Sequence, residues 1–225
     1  MVIQQKRRHF AVGVDLGKSA ETTAIAVAER QNPPAWDEAE ECPPEKAVIE
    51  VRHLHRFQPG TLYQDVAKGI YETLKAKELT ETKERTAHGT IRDVAIRVDF
   101  IVDQTAVATP VADMIVQQID VPFARRVVLS GSLADTYDDG LYRIPKQALV
   151  GGMEVLLETR RLKIAESLAS ARQLADELVN YRGRKTASVP LTVDTWREQP
   201  SDDLVFAVAL ACWQLQRPQF TYEFI

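Results

Sequence analysis

Residues 10–29 read FAVGVDLGKSAETTAIAVAE, and this stretch decides the fold. Phe10 to Val14 is a short run of apolar, small and β-branched residues that ends on Asp15. That pattern predicts a buried strand delivering a carboxylate to its C-terminal tip. Thr22 to Ala28 has the same β-branched character, and the segment from Gly17 to Glu21 is small and polar. The two runs therefore predict a hairpin with an acid at its corner. An ionised carboxylate at the end of a buried strand needs a cation, a cluster of donors or a raised pKa, so Asp15 is the first candidate for chemistry.

Gly17-Lys18-Ser19 invites a phosphate-loop reading, but the motif fails twice. Its first glycine would stand at position 12, which is Val12, and a helix would have to follow where Thr22 to Ala28 reads as a strand.

Working outward, Ala47 to Phe57 alternates apolar and polar residues and predicts a third strand, with His53 and His55 on one face. A two-residue His spacing suits either a metal or a solvated outer face. The segment between, Gln31 to Lys46, holds Pro33-Pro34, Cys42-Pro43-Pro44 and several acids, and reads as a surface loop. Leu62, Val66, Ile70 and Leu74 recur every four residues and predict a helix over 61–77. Leu79 to Thr90 is charged and loop-like.

Asp93 to Asp103 (DVAIRVDFIVD) is almost continuously apolar at its end and again finishes on an acid. A helix is expected over 106–119 with Pro110 in its first turn, where a missing N–H costs little. Arg125 to Ser130 predicts a strand, followed by a Gly/Asp-rich turn through Gly140. A long helix over 147–159, a short strand over 162–165 and a helix to Tyr181 come next. Arg182-Gly183-Arg184-Lys185 reads as a basic turn and Val189 to Val193 as an extended segment. Asp202-Asp203 opens a final apolar helix over 204–215, where an acid suits the free N–H groups. The succession predicts one α/β domain with a mixed sheet flanked by helices.

The composition agrees. The chain has 225 residues, 45% of them apolar, which is ample for a core. Its formal net charge of -4 gives no overall basic field, so contact with nucleic acid must come from local patches. No apolar run approaches the roughly 20 residues of a membrane-spanning helix, and a cytoplasmic protein without membrane contact is expected. Cys42 and Cys212 have no metal-type spacing and read as two free thiols.

Asp15, Asp103 and the pair Asp202-Asp203 each have a bland explanation as turn or cap residues. If the two acid-tipped strands are neighbours and the last helix crosses their ends, however, the carboxylates converge where their repulsion calls for divalent cations. Two such ions about 4 Å apart support phosphodiester hydrolysis.

Three segments carry a resemblance: AVGVDLGKSAETTAIAVAE, VDFIVDQTAVATPVAD, and the run from YRIPKQALVGGMEVLLETRRLKIAESLASARQLADELVNYR to SDDLVFAVALACW. In this order they resemble the nuclease domain of phage terminase large subunits over nearly the whole chain. The resemblance implies a ribonuclease H-like fold and a metal-dependent endonuclease cutting double-stranded DNA during genome packaging. It implies Mg²⁺ or Mn²⁺, two ions, held by Asp15, Asp103 and Asp203, with Asp202 as a further ligand or a cap.

It also implies a packaging ATPase, a small terminase subunit and a portal as partners, in the host cell cytoplasm when the source is viral. No packaging ATPase domain fits within these residues, and the domain by itself is expected to be a monomer. Lys146, Arg182, Arg184 and Lys185 are the expected DNA contacts. Two departures stand out: Gln104 to Ala108 replaces a Gly-rich turn, and Ser201 stands where a His often precedes the paired acids. Neither removes a carboxylate.

Two rivals remain at this point. A catalytically weak ribonuclease H-like module would bind DNA or a packaging partner. An actin/sugar-kinase type of nucleotide-binding fold shares the Asp-x-Gly hairpin but needs a second Gly-rich phosphate loop, which the sequence lacks.

Overall fold

The computed structural model describes residues 6–18, 21–32, 42–43, 45–85, 89–105, 107, 109–119, 124–131, 134–186 and 202–217. The expected extended segment over 189–193, Ser201 and most of the loop over 31–46 lie outside them. The strand-forming stretch opens the fold as expected: β1 (Lys6–Asp15) and β2 (Ala24–Gln31) pair antiparallel, and β3 (Val48–Arg56) pairs antiparallel with β2. Thr22 lies just before β2 rather than within it.

Helix α1 (Tyr63–Leu74) follows and buries Val66, Ala67, Ile70 and Leu74. Leu62, expected on that face, is the exposed N-cap residue instead. The charged stretch expected as a loop contains α2 (Lys77–Thr80) and β4 (Lys83–Arg85), which pairs with the start of β5 (Ile91–Asp103). Ion pairs hold this short exposed strand: Glu84 meets Arg92, its partner in the register, and Lys6 of β1.

Helix α3 (Thr109–Ile119) leads to β6 (Ala124–Ser130). The Gly/Asp-rich turn is the tip of a hairpin between β7 (Thr136–Asp138) and β8 (Leu141–Pro145). Asp139 and Gly140 close it with φ of 46° and 77°, the positive values that a two-residue turn matching strand twist requires. The chain ends in α4 (Lys146–Glu158), β9 (Leu162–Ile164), α5 (Ala171–Thr186) and α6 (Asp203–Gln216). The residues read as a basic turn, Arg182 to Lys185, are the last turns of α5.

The sheet order is β7-β8-β6-β5-β1-β2-β3-β9, with β4 paired to β5. β5 lies parallel to β1, and β6 and β8 continue the parallel half. Three antiparallel strands in chain order, joined through the first of them to parallel β5, reached through α1, α2 and β4, to β6, reached through α3, and to β8, preceded by β7 in its hairpin, make the ribonuclease H-like fold.

Alternation along the strands sorts two cores. Phe10, Val12, Val14, Ile25, Val27, Phe100 and Val102 pack with Val66 and Ile70 of α1 and Ile115 and Ile119 of α3. Ala11, Ala24, Ala26, Ala28 and Ile101 face the other way, toward α4 and α6. That second face is built of small residues, and α6 lies almost on the backbone beneath it. A Cβ on Gly13 would stand 2.2 Å from the Ala207 carbonyl oxygen and 2.9 Å from the Ala211 nitrogen. Among the described residues no helix is long and apolar enough to cross a membrane.

Candidate metal centre

The site grows out of strand register. Asp15 and Asp103 are partners at the last position of the parallel pair β1 and β5. By alternation Asp15 shares the face of Ala11 and Gly13, and Asp103 that of Ile101, so both carboxylates stand on the side covered by α6. Gly13 lets α6 settle over β1, and Asp203, one turn before Ala207, begins that helix. Three of the expected carboxylates thus come together, from two neighbouring strand ends and a helix start.

Each carboxylate is held differently. Asp103 is 3% exposed and accepts hydrogen bonds from the Thr105 backbone N–H at 2.8 Å and the Thr105 hydroxyl. Thr105 Oγ1 accepts in turn from the Leu129 N–H at 2.7 Å, which ties the loop after β5 to β6. Burial pushes the Asp103 carboxyl up to about 6, against the Thr105 hydrogen bonds and the positive charge of Lys146. Asp15 is pushed well above the usual carboxylate range, first by removal from water and then by the charges of Asp103 and Asp203, with Lys146 opposing. Asp203 Oδ2 accepts the Thr22 hydroxyl at 2.6 Å and lies 2.8 Å from Arg56 Nε.

Among the described residues, no three His, Cys, Asp or Glu side chains form a group that could hold a metal ion in this arrangement, and Asp203 Oδ2 is engaged by Thr22 and Arg56. The donor chemistry nevertheless fits a hard divalent cation. The donors are carboxylate oxygens, and the strand-tip pair carries raised pKa values, so its ionised form calls for added positive charge.

Asp202 is the N-cap residue of α6, yet its side chain makes no capping hydrogen bond. The cap comes from Glu177 of α5, whose Oε2 accepts the N–H groups of Leu204 at 3.1 Å and Val205 at 3.3 Å. Lys146, an expected DNA contact, opens α4 directly after β8 and sits beside the carboxylates. Its Nζ lies 4.1 Å from the centre of the Phe206 ring, and its charge lowers the pKa of both Asp15 and Asp103. Arg182, Arg184 and Lys185 belong to α5 by backbone, and their side chains lie outside the described residues. His53 and His55 stack with ring centres 6.4 Å apart on the exposed face of β3, away from the acids.

Four residues at or around the acids escaped the sequence reading: Thr22, Arg56, Thr105 and Glu177. Thr105 had a signal, because an Asp whose side chain bonds the N–H two residues on is a common turn device. Arg56 and Glu177 had none, since each takes meaning only from partners distant in the chain.

No protein-family model matches the sequence, and the search of curated proteins finds no match. Among solved structures, the chain is similar to the human cytomegalovirus terminase nuclease domain, Mn soaked and inhibitor bound, at 14% identity and a TM-score of 0.49, over 94% of this chain and 83% of that one. It is also similar to the large terminase nuclease from thermophilic phage G20c, at 18% identity and a TM-score of 0.48, over 92% of this chain and 82% of that one.

Proposed function

We propose that this chain is a metal-dependent DNA endonuclease of terminase type, acting on double-stranded DNA during genome packaging. The observation that carries the reading is the convergence of Asp15, Asp103 and Asp203 at register-paired strand tips and a helix start. The terminase part rests on the three sequence segments whose order resembles that family.

Asp15, Asp103 and Asp203 would hold Mg²⁺ or Mn²⁺, two ions in the full reading, with Asp202 as an additional ligand from the start of α6. When bound, the cations supply activation of a water and neutralisation of charge on a phosphodiester. The chain's own residues fix the geometry. Thr105 orients Asp103, and α6 carries Asp203 to the strand ends. Lys146 adds positive charge where phosphate oxygens approach, and Arg182, Arg184 and Lys185 are proposed to extend the DNA contact along α5. Phosphate contacts carry no sequence information, so cutting is expected to show little sequence preference.

In this reading residues 1–225 form a single nuclease domain, monomeric by itself. Its partners are the packaging ATPase, small terminase subunit and portal, and it works in the cytoplasm, that of the host cell when the source is viral.

The test is Mn²⁺-dependent nicking and linearisation of plasmid DNA. Asp15→Asn, Asp103→Asn and Asp203→Asn are each expected to abolish cutting while the circular dichroism spectrum is unchanged. Undiminished cutting by any of the three overturns the site.

One observation favours a second reading. Arg56 paired to Asp203 suits a module that binds DNA or a packaging partner and cuts weakly or not at all. DNA retention by the wild-type chain, with no cutting across a range of Mg²⁺ and Mn²⁺ concentrations, is the result that selects it.

A further inference from the structure

Arg56 is the last residue of β3 and shares the face of buried Leu54, the side of the sheet covered by α6. Here its side chain is only 20% exposed and reaches two carboxylates at once. Nε lies 2.8 Å from Asp203 Oδ2, and Nη2 meets Glu177 Oε1. Glu177 uses its other oxygen to cap α6 through Leu204 and Val205. One guanidinium thereby ties together the end of β3, the middle of α5 and the first turn of α6.

The two carboxylates depend on that guanidinium unequally. Glu177 keeps two backbone donors at the positive end of a 14-residue helix whether or not the arginine is present. Asp203 stands in the repulsive field of the strand-tip acids, where loss of a charge at 2.8 Å matters more. A divalent cation approaching Asp203 meets a positive charge already in contact with one of its oxygens, and the two repel across a few ångströms of poorly solvated protein.

We propose that Arg56 is a positioning residue that clamps Asp203 to Glu177 and competes with a divalent cation for Asp203, so that this arginine sets the cation affinity of the site. The inference rests on the reading of the three acids as a metal centre. It gives Arg56 and the cation the same oxygen of Asp203 as a target, so that each opposes the other. Glu177 moderates the antagonism by sharing the guanidinium.

The experiment measures Mn²⁺ binding to the full chain from the loss of the free-ion electron paramagnetic resonance signal, alongside thermal unfolding in EDTA and in Mn²⁺. Arg56→Gln is expected to melt at a lower temperature in EDTA yet bind Mn²⁺ at least about tenfold more tightly, with a larger Mn²⁺-induced rise in melting temperature. Arg56→Lys keeps the charge and is expected to stay close to wild type. Glu177→Gln keeps an acceptor for Leu204 and Val205 but leaves the guanidinium to Asp203 alone, so Mn²⁺ binding is expected to weaken several-fold.

Opposite shifts in Arg56→Gln and Glu177→Gln are what a merely structural role does not produce. Mn²⁺ affinity in Arg56→Gln equal to or weaker than wild type overturns the inference. Should Arg56→Gln not fold, unchanged or tighter binding in Glu177→Gln overturns it. Mn²⁺ binding that Asp15→Asn abolishes but Arg56→Gln does not strengthen sinks the Arg56 role alone. Absence of Mn²⁺ binding from every protein sinks the metal centre and this role together.

Discussion

Asp99 and Gln214 meet inside the molecule: Gln214 Nε2 donates to Asp99 Oδ2 at 2.7 Å, joining the C-terminal end of α6 to the middle of β5. His9 Nε2 lies 2.9 Å from the same oxygen, and Arg97 Nε donates to the other at 3.1 Å. Burial disfavours the charge on Asp99, yet the bonds from His9, Gln214 and Arg97 more than offset it and hold the carboxyl well below its usual range. Asp99→Asn places an amide where donors already converge, and is expected to cost about 3 kcal/mol in urea unfolding at pH 7.

The same carboxylate predicts an acid limb. Its pKa is lower in the fold than in the open chain, so the unfolded state takes up the proton first as pH falls. The stability it contributes is fully present above about pH 4 and is lost as pH drops through the folded value. Unfolding free energies measured at falling pH are expected to decline less steeply in Asp99→Asn. Parallel curves for variant and wild type contradict the assignment.

Asp103 has the opposite sign. Its folded pKa of about 6 lies above the open-chain value, so ionisation works against the fold. In EDTA, its contribution is expected to turn unfavourable as pH rises from about 4 through 6. Asp103→Asn keeps an acceptor for Thr105 and is expected to gain about 2 kcal/mol in EDTA at pH 8 while losing cutting activity. Calorimetry showing a loss of stability at that pH counts against the converging acids.

Gly13→Ala tests the close approach of α6. The new methyl would lie 2.2 Å from the Ala207 carbonyl oxygen, a contact that only backbone movement relieves. A cost of about 3 kcal/mol in thermal or urea unfolding is expected, with reduced cutting because Asp203 moves with the helix. A variant of wild-type stability would show that α6 does not lie this close.

Cys212 is fully buried in α6, and burial pushes its thiol up to about 12. Alkylation by iodoacetamide at pH 8 is expected to spare Cys212 in the native protein and to modify it in urea, as peptide mass mapping would show. Modification at equal rates in both states would place the helix at the surface.

The parts of the fold legible in sequence are those whose pattern and environment coincide. β1, β2 and β5 are apolar because both faces of the sheet are covered, and the acids that end β1 and β5 are conspicuous against that background. β4 reads as a loop because Lys83, Glu84 and Arg85 are charged, and its strand character comes from pairing with β5 and from the ion pairs of Glu84. The β7–β8 hairpin was within reach through Asp139-Gly140, yet Thr136 to Asp138 carries no apolar alternation because it is the exposed edge. Arg182 to Lys185 looks like a turn because Gly183 and the charges suit one, while the helix continues through them to Thr186. Lys146 is legible in sequence for its charge alone, and its place beside the acids depends on the end of β8.

The alanine and glycine face under α6 has a mechanical consequence. A helix resting on large, adaptable side chains can creep by fractions of an ångström, whereas one seated with backbone against backbone at Gly13 has a notch to fall into. Movement along β1 would have to lift the helix clear of the strand before it could settle again. Asp203 and Gln214, at the two ends of α6, are therefore gauged from one fixed point, and the spacing of Asp203 from Asp15 is set as a step on a ruler.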